Sequence, residues 1–131
     1  MTGSIKIPSD LSNLFRVENL IEKLSEVLSF GDGLYGNISV CLVEAVSNAI
    51  LHGNGSDVTK IVLLDYRVKN NSLIFTVIDE GSGFDFDMVP DPTLPENIEN
   101  FKGRGIFLIR NLADKVIFEN KGSKIKIYFN L

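Results

Sequence analysis

The chain contains a single cysteine, no long apolar run and no cluster of basic residues. Cys41 has no partner for an internal disulfide, which indicates a reduced, intracellular setting. Its apolar neighbours indicate that its side chain packs in the core. The 13 Lys and Arg residues are scattered singly in a chain of net charge -4, which argues against direct binding to nucleic acid. Residues 1–10 lack an apolar stretch of signal-peptide length, and no segment approaches the roughly 18 apolar residues of a membrane span. We therefore expect a cytoplasmic domain that does not enter a membrane.

Hydrophobic periodicity divides the 131 residues into alternating helices and strands. The predicted elements are a short strand ending at Pro8, a helix from Ser9 or Asp10 to about Ser29, a central helix to about His52, strands over 60–69 and 72–79, a helix opened by Gly103-Arg104-Gly105, and strands over 116–120 and 124–131. This order predicts one α+β domain over 1–131, a two-layer sandwich with a mostly antiparallel mixed sheet covered on one face by three helices.

Residues 85–102 have no clear periodicity, and Pro90, Pro92 and Pro95 lie there among acidic residues. A connection of this length without regular structure is usually a functional lid or a disordered segment. We predict a lid at about 85–102.

The central helix carries polar residues along one side of an otherwise apolar stretch, VCLVEAVSNAILHGN at 40–54. On a helical wheel, Asn37, Glu44, Asn48 and His52 fall within roughly 80° of arc. Apolar residues occupy most of the remaining circumference, which indicates a buried helix. The polar strip is therefore expected to line a cavity.

Two interpretations of the polar strip are open. Glu44 and Asn48 could simply contact each other one turn apart at the edge of the core. However, a carboxylate is rarely buried without a partner, and positions 33–59 contain no Lys or Arg to supply one locally.

A second candidate stretch, Asp79-Glu80-Gly81-Ser82-Gly83-Phe84, follows a predicted strand directly. By itself it is compatible with a plain turn that has acidic ends. The functional interpretation is base recognition, because a carboxylate only accepts hydrogen bonds and adenine offers an amine where guanine offers an oxygen. A buried Asp79 would then select ATP over GTP.

The third stretch, Gly103-Arg104-Gly105, precedes the predicted third helix. It is compatible with an ordinary glycine entry to a core helix. Free amides at a helix N-terminus also form an anion site, to which Lys102 and Arg104 would add positive charge.

Together the three stretches supply what a bound magnesium nucleotide needs. The side-chain oxygen of Asn48 is a suitable ligand for Mg²⁺, and Glu44 could take a proton from an attacking hydroxyl or water. The segment Gly103 to Gly105 would hold the phosphates beneath the lid.

The motifs E-x-x-x-N-A-x-x-H-G from Glu44, D-E-G-S-G-F-D from Asp79 and G-R-G-I from Gly103 resemble those of the GHKL ATPases, which have the Bergerat ATP-binding fold. Within that group the chain is similar to the bacterial anti-sigma-factor serine/threonine-protein kinases over nearly its whole length. The resemblance implies binding of ATP and Mg²⁺, inhibition of a sigma factor, phosphorylation of a STAS-type anti-anti-sigma partner, and a homodimer.

Carried over to this sequence, the resemblance implies that Glu44 is the general base, Asn48 the Mg²⁺ ligand and Asp79 the adenine contact. With the residues of the anion site included, the other positions expected at the nucleotide are His52, Gly81, Gly83, Lys102, Gly103, Arg104, Gly105, Ile106 and Ser123.

Two features depart from the family pattern. The Gly-Thr often found near the last strands is Gly122-Ser123 here, which keeps a hydroxyl. No helical hairpin with a phospho-accepting histidine is present, so we do not expect a complete sensor histidine kinase. His52 lies inside the central motif, and we interpret it as supporting the site rather than as a phosphorylation site.

Three hypotheses follow, and the kinase hypothesis is favoured because a pure binding module has less need of the Glu44 base. The alternatives are a nucleotide-gated regulator that binds a partner without phosphotransfer and a simple ATPase that transfers phosphate to water. Phosphoryl transfer depends mainly on positioning, so suitable side chains alone do not prove turnover.

Overall fold

A computed structural model describes residues 1–83 and 101–131 of the chain. Its elements are β1 (Thr2–Pro8), α1 (Phe15–Leu28), α2 (Asp32–Asn48), a π-helical turn (Ala49–Gly53), β2 (Ile61–Lys69), β3 (Ser72–Ile78), α3 (Phe101–Leu112), β4 (Lys115–Glu119) and β5 (Lys124–Asn130). This is the predicted order. The predicted lid falls mainly outside the described residues, and its last two positions, 101 and 102, belong to α3.

The strands form one five-stranded sheet in the order β1-β2-β3-β5-β4. All four pairings of these strands are antiparallel, so the described sheet is not mixed. One face of the sheet is buried, and it includes Ile7 of β1, Val62 of β2 and Val77 of β3. These residues form one core with residues of the helices. The predicted α+β class with three helices is confirmed.

The β2–β3 connection confirms the hairpin predicted at Asn70 and Asn71. Their φ angles are 52° and 61°, the positive values that a two-residue turn needs at both central positions. Asparagine adopts this conformation more readily than most residues, so these two residues fix the register of β2 against β3.

Helix α2 is the central helix of the fold. Ile38, Leu42 and Val46 are fully buried, and α2 is in contact with α1, α3 and β5. By length and composition alone, the helical stretch Asp32–Gly53 could cross a membrane. Its buried apolar residues, together with the polar strip, are those of a core helix in a folded domain.

The predicted start of the third helix is wrong. Helix α3 begins at Phe101, so Gly103 and Gly105 lie within its first turns instead of preceding it. Packing explains the glycine within the helix, because a Cβ atom at Gly105 would lie 2.8 Å from Oε2 of Glu44 and 3.0 Å from Nδ2 of Asn48. Glycine at 105 therefore permits close approach of α3 to α2, which outweighs its low helix propensity.

Candidate nucleotide-binding site

A cleft opens where the end of α2 meets the exit of β3, the start of α3 and the β4–β5 turn. It brings together six residues predicted for the nucleotide site, namely Asn48, His52, Asp79, Gly83, Ile106 and Ser123. Its other walls are largely apolar, and they include Ala45, Val77, Phe118 and Ile125. An apolar slot with a few convergent polar groups is the usual form of a small-molecule site.

The cleft is narrow. Its cavity volume is about 30 Å³. A ligand as large as a nucleotide therefore has to widen the cleft when it binds.

Asp79 lies directly after β3, at the mouth of the cleft. Its Oδ1 accepts a hydrogen bond of 2.8 Å from the amide of Gly81. Its own amide donates to the carbonyl of Ser123 at 3.0 Å, which joins the exit of β3 to the β4–β5 turn. The carboxylate is thereby held in a defined orientation while it still borders the cleft.

Three glycines allow the backbone segments around Asp79 to approach one another. A side chain at Gly53 would overlap the Asp79 carboxylate, and one at Gly81 would overlap the carbonyl of Gly53. Gly83 has a φ of 88° and lies against the carbonyl of Lys121. The glycines of this stretch are therefore required by tight packing around a carboxylate, which a plain turn would not need.

Helix α2 ends in the π-helical turn rather than in an ordinary cap. The amide of Asn54 donates to the carbonyl of Ala49 at 2.8 Å, the hydrogen bond that closes the wide turn. Such turns are frequent at functional sites because they re-aim the backbone. Here the turn brings Gly53 against Asp79, and left-handed backbone follows only after the turn, at Gly55 and Ser56, with φ angles of 59° and 57°.

Asn54 is a site-forming residue that the sequence did not indicate. Its Oδ1 accepts a hydrogen bond of 2.7 Å from the amide of Glu80, and its Nδ2 donates to Oγ of Ser9 at 3.0 Å. An asparagine after a helix has the same signature as a common capping residue, so no local pattern distinguishes this long-range network.

Glu44 and Asn48 lie one turn apart on the side of α2 that faces α3. Nδ2 of Asn48 is buried and has no hydrogen-bond partner among the residues that the structure describes. A buried polar atom without a partner is costly, so it points to a group that the site is built to receive. Because the two ends of an amide are exchanged by a rotation of its plane, the oxygen of Asn48 can face the same space.

The Glu44 carboxylate also affects the pKa of the buried Cys41 thiol. Desolvation, followed by the charge of the nearby Glu44 carboxylate, raises the pKa of the Cys41 thiol to about 12. The thiol therefore stays neutral at physiological pH, as expected for a packing residue.

The donor set suits Mg²⁺ bound together with a nucleotide. Within 1–83 and 101–131 no three His, Cys, Asp or Glu side chains form a cluster that could hold a metal alone. Mg²⁺ commonly keeps several waters and takes phosphate oxygens with only one or two protein ligands. With its amide rotated so that Oδ1 faces this space, Asn48 fits that arrangement as one such ligand.

The remaining predicted residues occupy different positions around the cleft. Glu44 lies beside Gly105 but does not line the cleft, and Arg104 is exposed at the outer side of α3. The hydroxyl of Ser123 donates to the carbonyl of Asn120 at 2.9 Å. Lys102 and Gly103 lie in the first turn of α3.

A family model described as the histidine kinase-like ATPase domain matches residues 7–129. The chain belongs to this family of ATPase domains. Its placement of a helix-borne acid and amide beside a glycine-lined cleft is in keeping with that assignment.

The chain is similar to curated proteins that are named as anti-sigma factors or serine-protein kinases. The chain is 35% identical over 95 residues to the anti-sigma F factor of Geobacillus thermodenitrificans, covering 67% of this chain and 64% of that protein. It is 29% identical over 92 residues to the serine-protein kinase RsbW of Bacillus subtilis, covering 64% and 56%. The matched part of the chain thus spans a little under two thirds of the first of these relatives.

A solved structure supports the fold. The histidine kinase domain of the Erythrobacter litoralis EL346 blue-light activated histidine kinase aligns with a TM-score of 0.58 at 19% identity, covering 95% of this chain and 62% of that chain. At this level of identity the likeness concerns the fold alone.

Proposed function

We propose that this chain is an ATP-dependent serine/threonine-protein kinase that also acts as an anti-sigma factor. It would phosphorylate a STAS-type anti-anti-sigma partner and sequester a sigma factor. The names of the curated relatives support both activities. The observation that carries the catalytic part is the orphaned Asn48 amide, which lies beside Glu44 and borders the same cleft as Asp79.

In this proposal Asp79 selects the base. Its carboxylate can only accept hydrogen bonds, so it pairs with the amine of adenine and opposes the carbonyl oxygen of guanine. The apolar walls at Val77, Ile106 and Ile125 would enclose the flat ring.

Glu44 is assigned the proton transfer. It would accept the proton of the serine or threonine hydroxyl as that oxygen attacks the γ-phosphorus and the bond to ADP breaks. Asn48 would hold Mg²⁺, whose charge, when bound, offsets that of the phosphates. Gly103, Arg104 and Gly105, with Lys102, would lie on the phosphate side.

The wider organisation belongs to the same proposal. We expect a single ATP-binding domain over 1–131 with a lid at about 85–102, acting in the cytoplasm as a homodimer. His52, Gly81, Gly83 and Ser123 would complete the adenine side.

The decisive experiment measures transfer of labelled γ-phosphate from ATP to a purified STAS partner. We expect a phosphorylated partner in the presence of Mg²⁺ and none when the metal is chelated. Nucleotide-dependent binding of a sigma factor without any phosphorylated product would instead favour a regulator without phosphotransfer. Release of inorganic phosphate without a partner would favour a simple ATPase.

A further inference from the structure

The side chain of Asn54 is buried, with only 2% of its surface exposed, and both of its polar ends are used. Oδ1 accepts from the amide of Glu80 at 2.7 Å. Nδ2 donates to Oγ of Ser9 at 3.0 Å. One amide therefore joins the end of α2, the turn after β3 and the end of β1.

The Ser9 end of this connection is firmly anchored. Oγ of Ser9 donates to the carbonyl of Lys60 at 2.7 Å, and the Ser9 amide donates to the same oxygen at 3.2 Å. Ser9 follows β1 and Lys60 precedes β2, and these two strands are paired along their length. Asn54 is thus fixed to the sheet at one end and holds the amide of Glu80 at the other.

Glu80 is the residue that follows Asp79, so its amide shares a peptide plane with the Asp79 carbonyl. Two further contacts restrict the orientation of the Asp79 carboxylate. It lies against Gly53, and it accepts a hydrogen bond of 2.8 Å from the Gly81 amide. A shift of the Glu80 amide would rotate this peptide plane and change the direction of the carboxylate.

We infer that Asn54 is a positioning residue for base selection: through the Glu80 amide it orients Asp79 toward the base. The inference rests on the proposed nucleotide-binding function. It adds a specificity determinant that does not border the cleft itself. The Ser9–Asn54–Glu80 connection makes the fidelity of base selection depend on the junction of β1 and β2.

The test compares the dissociation constants of ATP and of purine riboside triphosphate, which lacks the exocyclic amine. Calorimetry would give their ratio for the wild type and for Asn54→Leu, which preserves volume and removes both hydrogen bonds. We expect the wild type to prefer ATP by roughly tenfold, as is usual for a hydrogen bond to a charged group, and the variant to lose most of this preference. A merely structural role would reduce the folded fraction and affect both nucleotides equally, leaving the ratio unchanged.

Two further variants define the interpretation. Asn54→Asp keeps an oxygen facing the Glu80 amide and is expected to retain more of the preference than Asn54→Leu. Asn111→Leu is the matched control, because Nδ2 of the exposed Asn111 donates to the carbonyl of Phe107 at 2.7 Å within α3 and takes no part in the Ser9–Asn54–Glu80 connection. Its ratio should equal that of the wild type.

A folded Asn54→Leu variant with the wild-type ratio would overturn the inference. If that variant does not fold, the same measurement is made on Ser9→Ala. We expect Ser9→Ala to show a weaker preference for ATP over purine riboside triphosphate, and an unchanged preference would overturn the inference. Asp79→Asn separates this inference from the proposed function. If Asp79→Asn keeps the wild-type ratio, Asp79 does not read the base and the proposed site itself fails.

Discussion

The two sides of the cleft are built differently. On the side of Asp79, hydrogen bonds from Gly81 and to Ser123 hold the carboxylate and its backbone in place. On the side of Glu44, Nδ2 of the neighbouring Asn48 is buried without a hydrogen-bond partner in the described part of the chain. One side is held by hydrogen bonds within the chain, whereas the other has a buried polar atom whose partner, in our proposal, is the ligand.

This difference suits the two tasks that we propose. Base selection needs a rigid acceptor, because discrimination depends on the cost of a misplaced or unpaired group. Binding of Mg²⁺ and phosphate needs few ligand atoms from the protein, since the nucleotide itself provides most of the oxygen atoms. Substitutions on the two sides should therefore affect different quantities.

The largest effect is expected for Glu44→Gln, which removes the proposed base while preserving shape. Phosphotransfer should fall by about 10²–10⁴-fold, the usual contribution of a general base, with little change in ATP affinity. Rapid-quench measurement of phosphotransfer, beside calorimetric ATP binding, separates the two quantities. Glu22→Gln on the exposed face of α1 is the control, and full activity of Glu44→Gln would exclude the assignment.

Asp79→Asn tests the organised side. The substitution replaces a charged acceptor by an amide that carries a donor, so ATP binding should weaken by more than about tenfold. Calorimetric titration with ATP and with GTP measures both affinity and selectivity. Unchanged ATP affinity would remove Asp79 from the site.

Gly105→Ala sharpens the description of the other side. Its Cβ would lie 2.8 Å from Oε2 of Glu44, so the carboxylate must move, and we expect phosphotransfer to fall by roughly tenfold while the fold persists. Gly36→Ala is the matched helical control, because nothing lies within 4 Å of its added Cβ. That control should raise the free energy of unfolding by about 0.5–1 kcal/mol.

Asn48→Leu is expected to have the smallest effect of these substitutions, a slight change in the stability of the free protein. It removes the buried Nδ2 atom, which has no hydrogen-bond partner among the described residues, so the free energy of unfolding should rise by about 1 kcal/mol in denaturant titration. At the same time the Mg²⁺ dependence of ATP binding should disappear. A variant that keeps this dependence would show that Asn48 does not hold the metal.

Local patterns were sufficient for the order of the elements and for six of the thirteen described residues that line the cleft. Asn70 and Asn71 adopt the predicted hairpin conformation, and the spacing of Asn48 and His52 on α2 places both at the cleft with Asp79. These features depend on backbone preference and helical periodicity, which act over a few neighbouring residues. They are therefore readable from the chain.

The start of α3 and the role of Asn54 depend on contacts between distant segments. Gly105 looked like a helix entry, but it is set by the approach of α3 to Glu44 and Asn48. Asn54 follows the predicted end of the central helix and was given no role, but its side chain reaches Ser9, 45 residues earlier, and the amide of Glu80, 26 residues later. The sequence alone determined which elements form and which polar residues face together, because those follow from local periodicity. Only the tertiary structure decided how closely the elements approach and where a buried amide finds its partners, because close packing and long-range hydrogen bonds leave no local pattern.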